Sequence, residues 1–122
     1  MHDIAKTILV VDDENDVIQA IRGALQDRWH IITTTSPHQA LSILKEPTHI
    51  DLLITDLFMP EMDGAKLLTE SRRIRPGLRA VLLTGLASDE EYRKWRRRGE
   101  TVIWKPWLEE DFVRIVARNL AN

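Results

Sequence analysis

Cysteine is absent from this 122-residue chain. Disulfides, zinc–thiolate centres and thiol catalysis are therefore excluded. Long apolar runs are also missing, and none approaches the ~20 residues of a bilayer-spanning helix. Met1-His2-Asp3 has neither the basic nor the apolar region of a signal peptide, so a cytoplasmic setting is expected, with no membrane partner. Charge of one sign is scarce: 17 basic against 19 acidic residues leave −2, which gives no global attraction to nucleic acid. No internal repeat, low-complexity tract or linker interrupts the chain. One domain over residues 1–122 is expected, with no second domain after it. The 43% hydrophobic and 30% charged residues that are present suit a soluble globular fold with a core of its own.

The organising stretch is Asp51-Leu52-Leu53-Ile54-Thr55-Asp56, followed by Leu57-Phe58-Met59-Pro60 and an Asp63-Gly64 pair. An apolar run long enough for one buried strand ends on a carboxylate, and a loop follows at once. Acids at the carboxyl ends of strands sit where open α/β sheets bind ligands. Two other strand ends carry charge: Ile8–Val11 runs into Asp12-Asp13, and Val102-Ile103-Trp104 runs into Lys105-Pro106.

The spacing predicts five strands alternating with five helices. Strands are expected over 7–11, 29–34, 51–56, 79–84 and 101–104. Val17, Ile18, Ile21, Ala24 and Leu25 recur at helical spacing, giving a first helix that ends near Asp27-Arg28. Ser36-Pro37-His38-Gln39 is a capping box opening a second helix, with Ala40, Leu41, Ile43 and Leu44 inward. A third helix starts near Asp63-Gly64, buries Leu67, Leu68 and Ile74, and breaks at Pro76-Gly77. Ser88-Asp89-Glu90-Glu91 is a second capping box, starting a fourth helix that ends at Gly99; the last helix places Leu108, Phe112, Ile115, Val116 and Leu120 on one face. Strands that are apolar throughout are buried on both faces, as parallel strands are. The fold class is therefore α/β, a doubly wound five-stranded parallel sheet of order 2-1-3-4-5. That order brings Asp12, Asp13 and Asp56 to the switch point between strands 1 and 3.

The pattern resembles the receiver domain of bacterial two-component response regulators, of the chemotaxis-Y-like type. It is carried by Asp12-Asp13, by Asp56 with Met59-Pro60 and Met62-Asp63-Gly64 behind it, by Thr84, and by Lys105-Pro106. The resemblance implies that Asp56 accepts a phosphoryl group from a sensor histidine kinase or a phosphotransfer protein. It implies a Mg²⁺ held by Asp13 and Asp56, by Asp12 partly through water, and by the Phe58 carbonyl. Thr84 and Lys105 would bind the phosphoryl group. Partner exchange, or a homodimer, would use the face made by the fourth helix, fifth strand and fifth helix. Chemistry supports these roles: clustered carboxylates repel one another, and a hard cation relieves them through oxygen ligands. Gly85 would leave room beside Thr84, and the Lys105-Pro106 bond is a candidate for the cis form.

The sequence departs from the family in two places: at Val102, and in the turn Gly99-Glu100-Thr101, which is one residue shorter than usual. Val102 stands where the family usually carries Tyr or Phe, and Trp104, of the same strand parity, is the candidate to fill that space. Phe58 and Leu86, bulky and apolar, follow Asp56 and Thr84 by two residues; they should crowd an attacking water and slow self-dephosphorylation. Arg93-Lys94-Trp95-Arg96-Arg97-Arg98 reads as a solvated basic helix with Trp95 inward, or as a surface for an acidic partner or a salt-bridged dimer. The histidines are scattered away from ligand spacing, and the acids could serve as helix caps. Two alternatives to a phosphoreceiver remain: an unphosphorylated receiver-like scaffold, and a small aspartate-nucleophile phosphohydrolase. The latter usually needs a second acid where Phe58 stands.

Overall fold

The computed structural model describes residues 6–85 and 89–121. Strands β1 (Thr7–Val11), β2 (His30–Thr34), β3 (Leu52–Asp56), β4 (Arg79–Thr84) and β5 (Thr101–Trp104) alternate with helices α1 (Asn15–Leu25), α2 (Pro37–Lys45), α3 (Gly64–Ile74), α4 (Asp89–Arg97) and α5 (Glu109–Leu120). All neighbouring strands pair in parallel, in the order β2-β1-β3-β4-β5. The expected sheet is the observed one.

Alternation along each strand splits the core into two layers. Leu9, Leu53, Leu82 and Val102 meet Leu44, Leu67 and Trp95 from α2, α3 and α4. Ile8, Ile54, Leu83 and Ile103 meet Ile21, Leu25, Phe112 and Val116 from α1 and α5. Strands apolar on both sides thus have a layer to bury each set, which is why they read as continuous runs.

Local chemistry sets the helix ends. Ser36 caps α2 by accepting from the Gln39 N–H at 3.2 Å, with Pro37 in the first turn. The box closes differently from expectation: the Gln39 side chain accepts from the Thr34 hydroxyl at 2.6 Å, and the Ser36 N–H donates to Thr34 Oγ1 at 3.1 Å. Asp63 caps α3 by accepting from the Lys66 N–H at 2.8 Å. Gly99 takes a φ of +84° just after α4, a conformation that favours glycine.

Several boundaries shift. Trp29 lies just before β2, and α1 stops at Leu25. The Trp29 ring is buried, with Arg28 stacked over it, because side-chain packing rather than ladder pairing holds it. The expected cap at Ser88 lies outside the described residues. Leu108 is not inward: it precedes α5 as its cap residue and is 67% exposed. Ile74 and Ile115 are only half-buried.

Candidate phosphoryl and metal site

Three strand ends converge. The carboxylate of Asp12 is fully buried just beyond β1, where its N–H still pairs with the Thr34 carbonyl at 3.3 Å. Both of its oxygens are engaged: Oδ1 accepts from the Glu14 N–H at 2.9 Å and Oδ2 from Lys105 Nζ at 3.0 Å. Asp56, the last residue of β3 and 5% exposed, lies 3.3 Å from the same ammonium. Its carboxylate also accepts a hydrogen bond from the backbone N–H of Phe58.

The loop behind Asp56 is pinned by its apolar residues. Leu57, Met59 and Met62 are buried in the α2–α3–α4 layer, so the chain turns sharply without fraying. The Leu57 N–H donates to the Leu83 carbonyl at 2.9 Å, and the Leu57 carbonyl accepts from the Gly64 N–H at 2.8 Å. Gly64 opens α3 directly against the Asp56 backbone: a β-carbon there would lie 2.3 Å from the Asp56 carbonyl oxygen. Only glycine permits that approach.

Lys105 follows β5, and its N–H donates to the Thr84 carbonyl at 2.7 Å. The Lys105-Pro106 bond is cis. Thr84 is buried at the end of β4. Gly85 lies beside the Lys105 stem, where a β-carbon would make ordinary contacts at 3.6 Å and 3.7 Å. Asp13 is exposed at the rim. Carboxylate oxygens of Asp12, Asp13, Glu14 and Asp56 all come within 4.8 Å of one another.

The electrostatics follow from this crowding. Burial pushes the Asp56 carboxyl above its ordinary range; Lys105 opposes that rise and the Asp12 charge reinforces it. For Lys105, burial works against the ammonium, but the hydrogen bond and charge of Asp12, followed by those of Asp56, outweigh it and hold its pKa above the usual lysine value. One ammonium stands against four carboxylates. Such an all-oxygen, negatively charged donor set fits a hard divalent cation.

The sequence matches the family described as the response regulator receiver domain over residues 8–117. The chain is a response regulator receiver domain. The receiver domain is 35% identical over 91 residues to the response regulator receiver protein Anae109_2439 of Anaeromyxobacter sp. (strain Fw109-5), covering 75% of this chain and 38% of that protein. It is 36% identical over 85 residues to the sensor kinase CckA of Brucella abortus (strain 2308), covering 68% of this chain and 9% of that one. The receiver domain thus spans less than half the length of these two relatives. Among solved structures, a receiver domain protein from Clostridium thermocellum superposes with a TM-score of 0.84 at 29% identity, covering 94% of each chain.

Of the residues singled out in the sequence, Asp12, Asp56 and Lys105 meet directly, Asp13 lies at the rim, Thr84 ends the adjacent strand, and Phe58 touches the site through its backbone. The Phe58 ring is 44% exposed. Leu86 lies outside the described residues. Two contributors escaped the sequence reading. Glu14 was signalled only by being a third acid in the run, and Gly64 was placed at the start of the third helix without its approach to the Asp56 backbone. Trp104 does not fill the space at Val102: Val102 is buried against Leu82 and Trp95, while Trp104 turns outward and stacks on Tyr92 at 5.3 Å.

Among the described residues, no helix is long and apolar enough to cross a membrane.

Proposed function

We propose that this receiver domain, taken as one unit over residues 1–122 in the cytoplasm, accepts a phosphoryl group on Asp56 from the phosphohistidine of a sensor kinase or phosphotransfer protein. The observation that carries the proposal is the convergence of Asp12, Asp56 and Lys105, with Lys105 Nζ 3.0 Å and 3.3 Å from the two carboxylates. An Asp56 oxygen attacks phosphorus, the phosphorus–nitrogen bond of the donor breaks, and its electron pair stays on the imidazole. Phosphoryl transfer depends on positioning and charge neutralisation more than on covalent help, and Lys105 provides both once it turns from Asp56 to the phosphoryl oxygens.

Asp13 and Asp56 would hold a Mg²⁺, with Asp12 acting partly through water and the Phe58 carbonyl completing the protein donors; Glu14 is near enough to join them. When bound, the ion offsets the charge shared by the carboxylates and the incoming phosphoryl group. Thr84 would bind the phosphoryl group through its hydroxyl, and the partner-binding population of the α4–β5–α5 face would shift in response. The domain acts as a signalling module whose chemistry is limited to its own phosphorylation and slow dephosphorylation.

Intact mass after incubation with acetyl phosphate tests the proposal. A single phosphoryl adduct is expected that requires Mg²⁺ and is absent in Asp56→Ala. A folded protein that takes no adduct would overturn this reading in favour of a scaffold.

A further inference from the structure

At the opposite end of the sheet from the carboxylate cluster, a cleft of about 400 Å³ opens among the strand starts. Ile50, Leu78 and Leu120, all buried, give it an apolar floor. Its cations come from three separate places: Lys6 stands just before β1, Arg75 caps α3 and Arg79 opens β4. None of the three makes an ion pair among the described residues.

Backbone carbonyls hold these cations in place without neutralising them. Lys6 Nζ donates to the Leu120 carbonyl at 3.2 Å. Arg75 donates from Nε to the Leu44 carbonyl at 2.9 Å, and from Nη2 to those of Glu46 and Thr48. Arg79 donates through Nη1 alone, to the carbonyls of Asn119 and Ala121. Its Nε–Nη2 edge, where two N–H groups lie parallel, has no partner among the described residues. Asp51 is the acid of the lining, and both its oxygens are engaged: Oδ2 accepts from the Thr7 N–H at 2.8 Å, and Oδ1 lies 3.0 Å from His49 Nε2. The carboxyl ends of α2 and α5 supply about half a negative charge each. Those two ends and one carboxylate leave the three cations with a positive excess.

We propose that this cleft binds a small organic oxyanion, a carboxylate or a phosphate monoester, with its head on the free edge of Arg79 and its apolar body against Ile50 and Leu78. Paired guanidinium donors match two oxygens of either head group. The volume lies within the range of small-molecule sites. The surplus charge here is opposite to that of the cluster around Asp56, which repels an anion when no cation is bound there. Strands β1, β3 and β4 start at this cleft and run toward Asp12, Asp56 and Thr84, so the two sites share strands and no residue. The proposal stands on the cleft alone: it is read by ligand-induced shifts, and the Asp56 chemistry is read by mass, so each can fail without the other.

The test is a proton–nitrogen correlation NMR titration of the Mg²⁺-free protein with phenyl phosphate and, separately, with benzoate. Saturable shifts are expected at the amides of Asp51, Leu78 and Arg79 with at least one probe, and the tighter probe identifies the head group. The amides of Asp13 and Phe58 should not move. Arg79→Gln should weaken binding roughly tenfold, the loss of one charge-assisted paired contact. Arg79→Lys keeps the charge and a donor for the α5 carbonyls, and should still lose several-fold because it lacks the paired edge. Arg73→Ala, on α3 and outside the cleft, should match the parent, and unmoved resonances far from each substitution should show every variant folded. Three results would overturn the proposal: no saturable shift at those amides with either probe, the same shifts from sodium chloride at equal ionic strength, or parent affinity in either Arg79 variant.

Discussion

Lys105 bridges Asp12 and Asp56: its ammonium lies 3.0 Å from one carboxylate and 3.3 Å from the other. Asp12 is wholly buried, so removing the lysine strands a charge that water cannot reach. Lys105→Met should cost about 2–3 kcal/mol in urea unfolding at neutral pH, somewhat below a fully buried pair because Lys105 is partly exposed. Its pKa is raised in the fold, so this contribution is complete below the ordinary lysine range and disappears as pH rises through the higher folded value. Parent and variant should therefore converge only in strong alkali.

Asp56 has the opposite sign. An acid with a raised pKa prefers to be protonated in the folded state, so the domain loses stability as pH climbs from the ordinary carboxylate range through that raised value. Asp56→Asn should melt a few degrees higher at neutral pH without Mg²⁺. Added Mg²⁺ should raise the melting temperature of the parent and do much less for the variant. Differential scanning calorimetry with and without the ion reads both effects.

Gly64→Ala tests the contact between α3 and the nucleophile's backbone. The new methyl would meet the Asp56 carbonyl oxygen at 2.3 Å, and backbone cannot give way as a side chain can. A loss of about 1–3 kcal/mol is expected from such overpacking. The aspartyl phosphate yield in the mass assay should fall with it, because the displaced atom belongs to Asp56 itself.

Phe58 offers no group to orient or deprotonate water beside Asp56. The phosphoryl adduct should therefore persist for minutes or longer in the purified protein with Mg²⁺. Phe58→Gln should shorten that lifetime roughly tenfold, a modest share of what positioned polar groups achieve. A parent lifetime of seconds would contradict the argument.

Trp104 pairs in register with Thr84, and its ring rests on Tyr92 of α4. If Thr84 shifts toward a phosphoryl group, the stack is the nearest aromatic reporter, in place of the ring missing at Val102. Acetyl phosphate with Mg²⁺ should change tryptophan emission in the parent. Trp104→Phe should abolish most of that change, although three of the four tryptophans remain.

Periodicity was enough to read the fold. Apolar runs at Ile8, Leu53 and Leu82 could only be strands covered on both sides, and helices with one apolar stripe were the available cover. Asp12, Asp56 and Lys105 were legible because strand ends in a parallel sheet fall along one edge. The β2 start and the α1 end were less so, since Trp29 is as apolar as a strand residue and only packing tells it apart. Leu108 misled for the same reason: its spacing fits the α5 stripe, but it precedes the first helical turn.

The sequence by itself determined the sheet order, the two core layers and the acids that share an edge, because these depend on side-chain period and strand direction. Only the tertiary structure decided how those groups meet. Lys105 takes both Asp12 and Asp56, Glu14 joins the carboxylate cluster, and Gly64 presses on the Asp56 backbone. Trp104 turns outward onto Tyr92, while Val102 stays buried in the layer that holds Leu82 and Trp95. The physical reason is reach: contacts among loops and side chains from separate elements are set by distances in space, and a hydrophobic period carries no record of them.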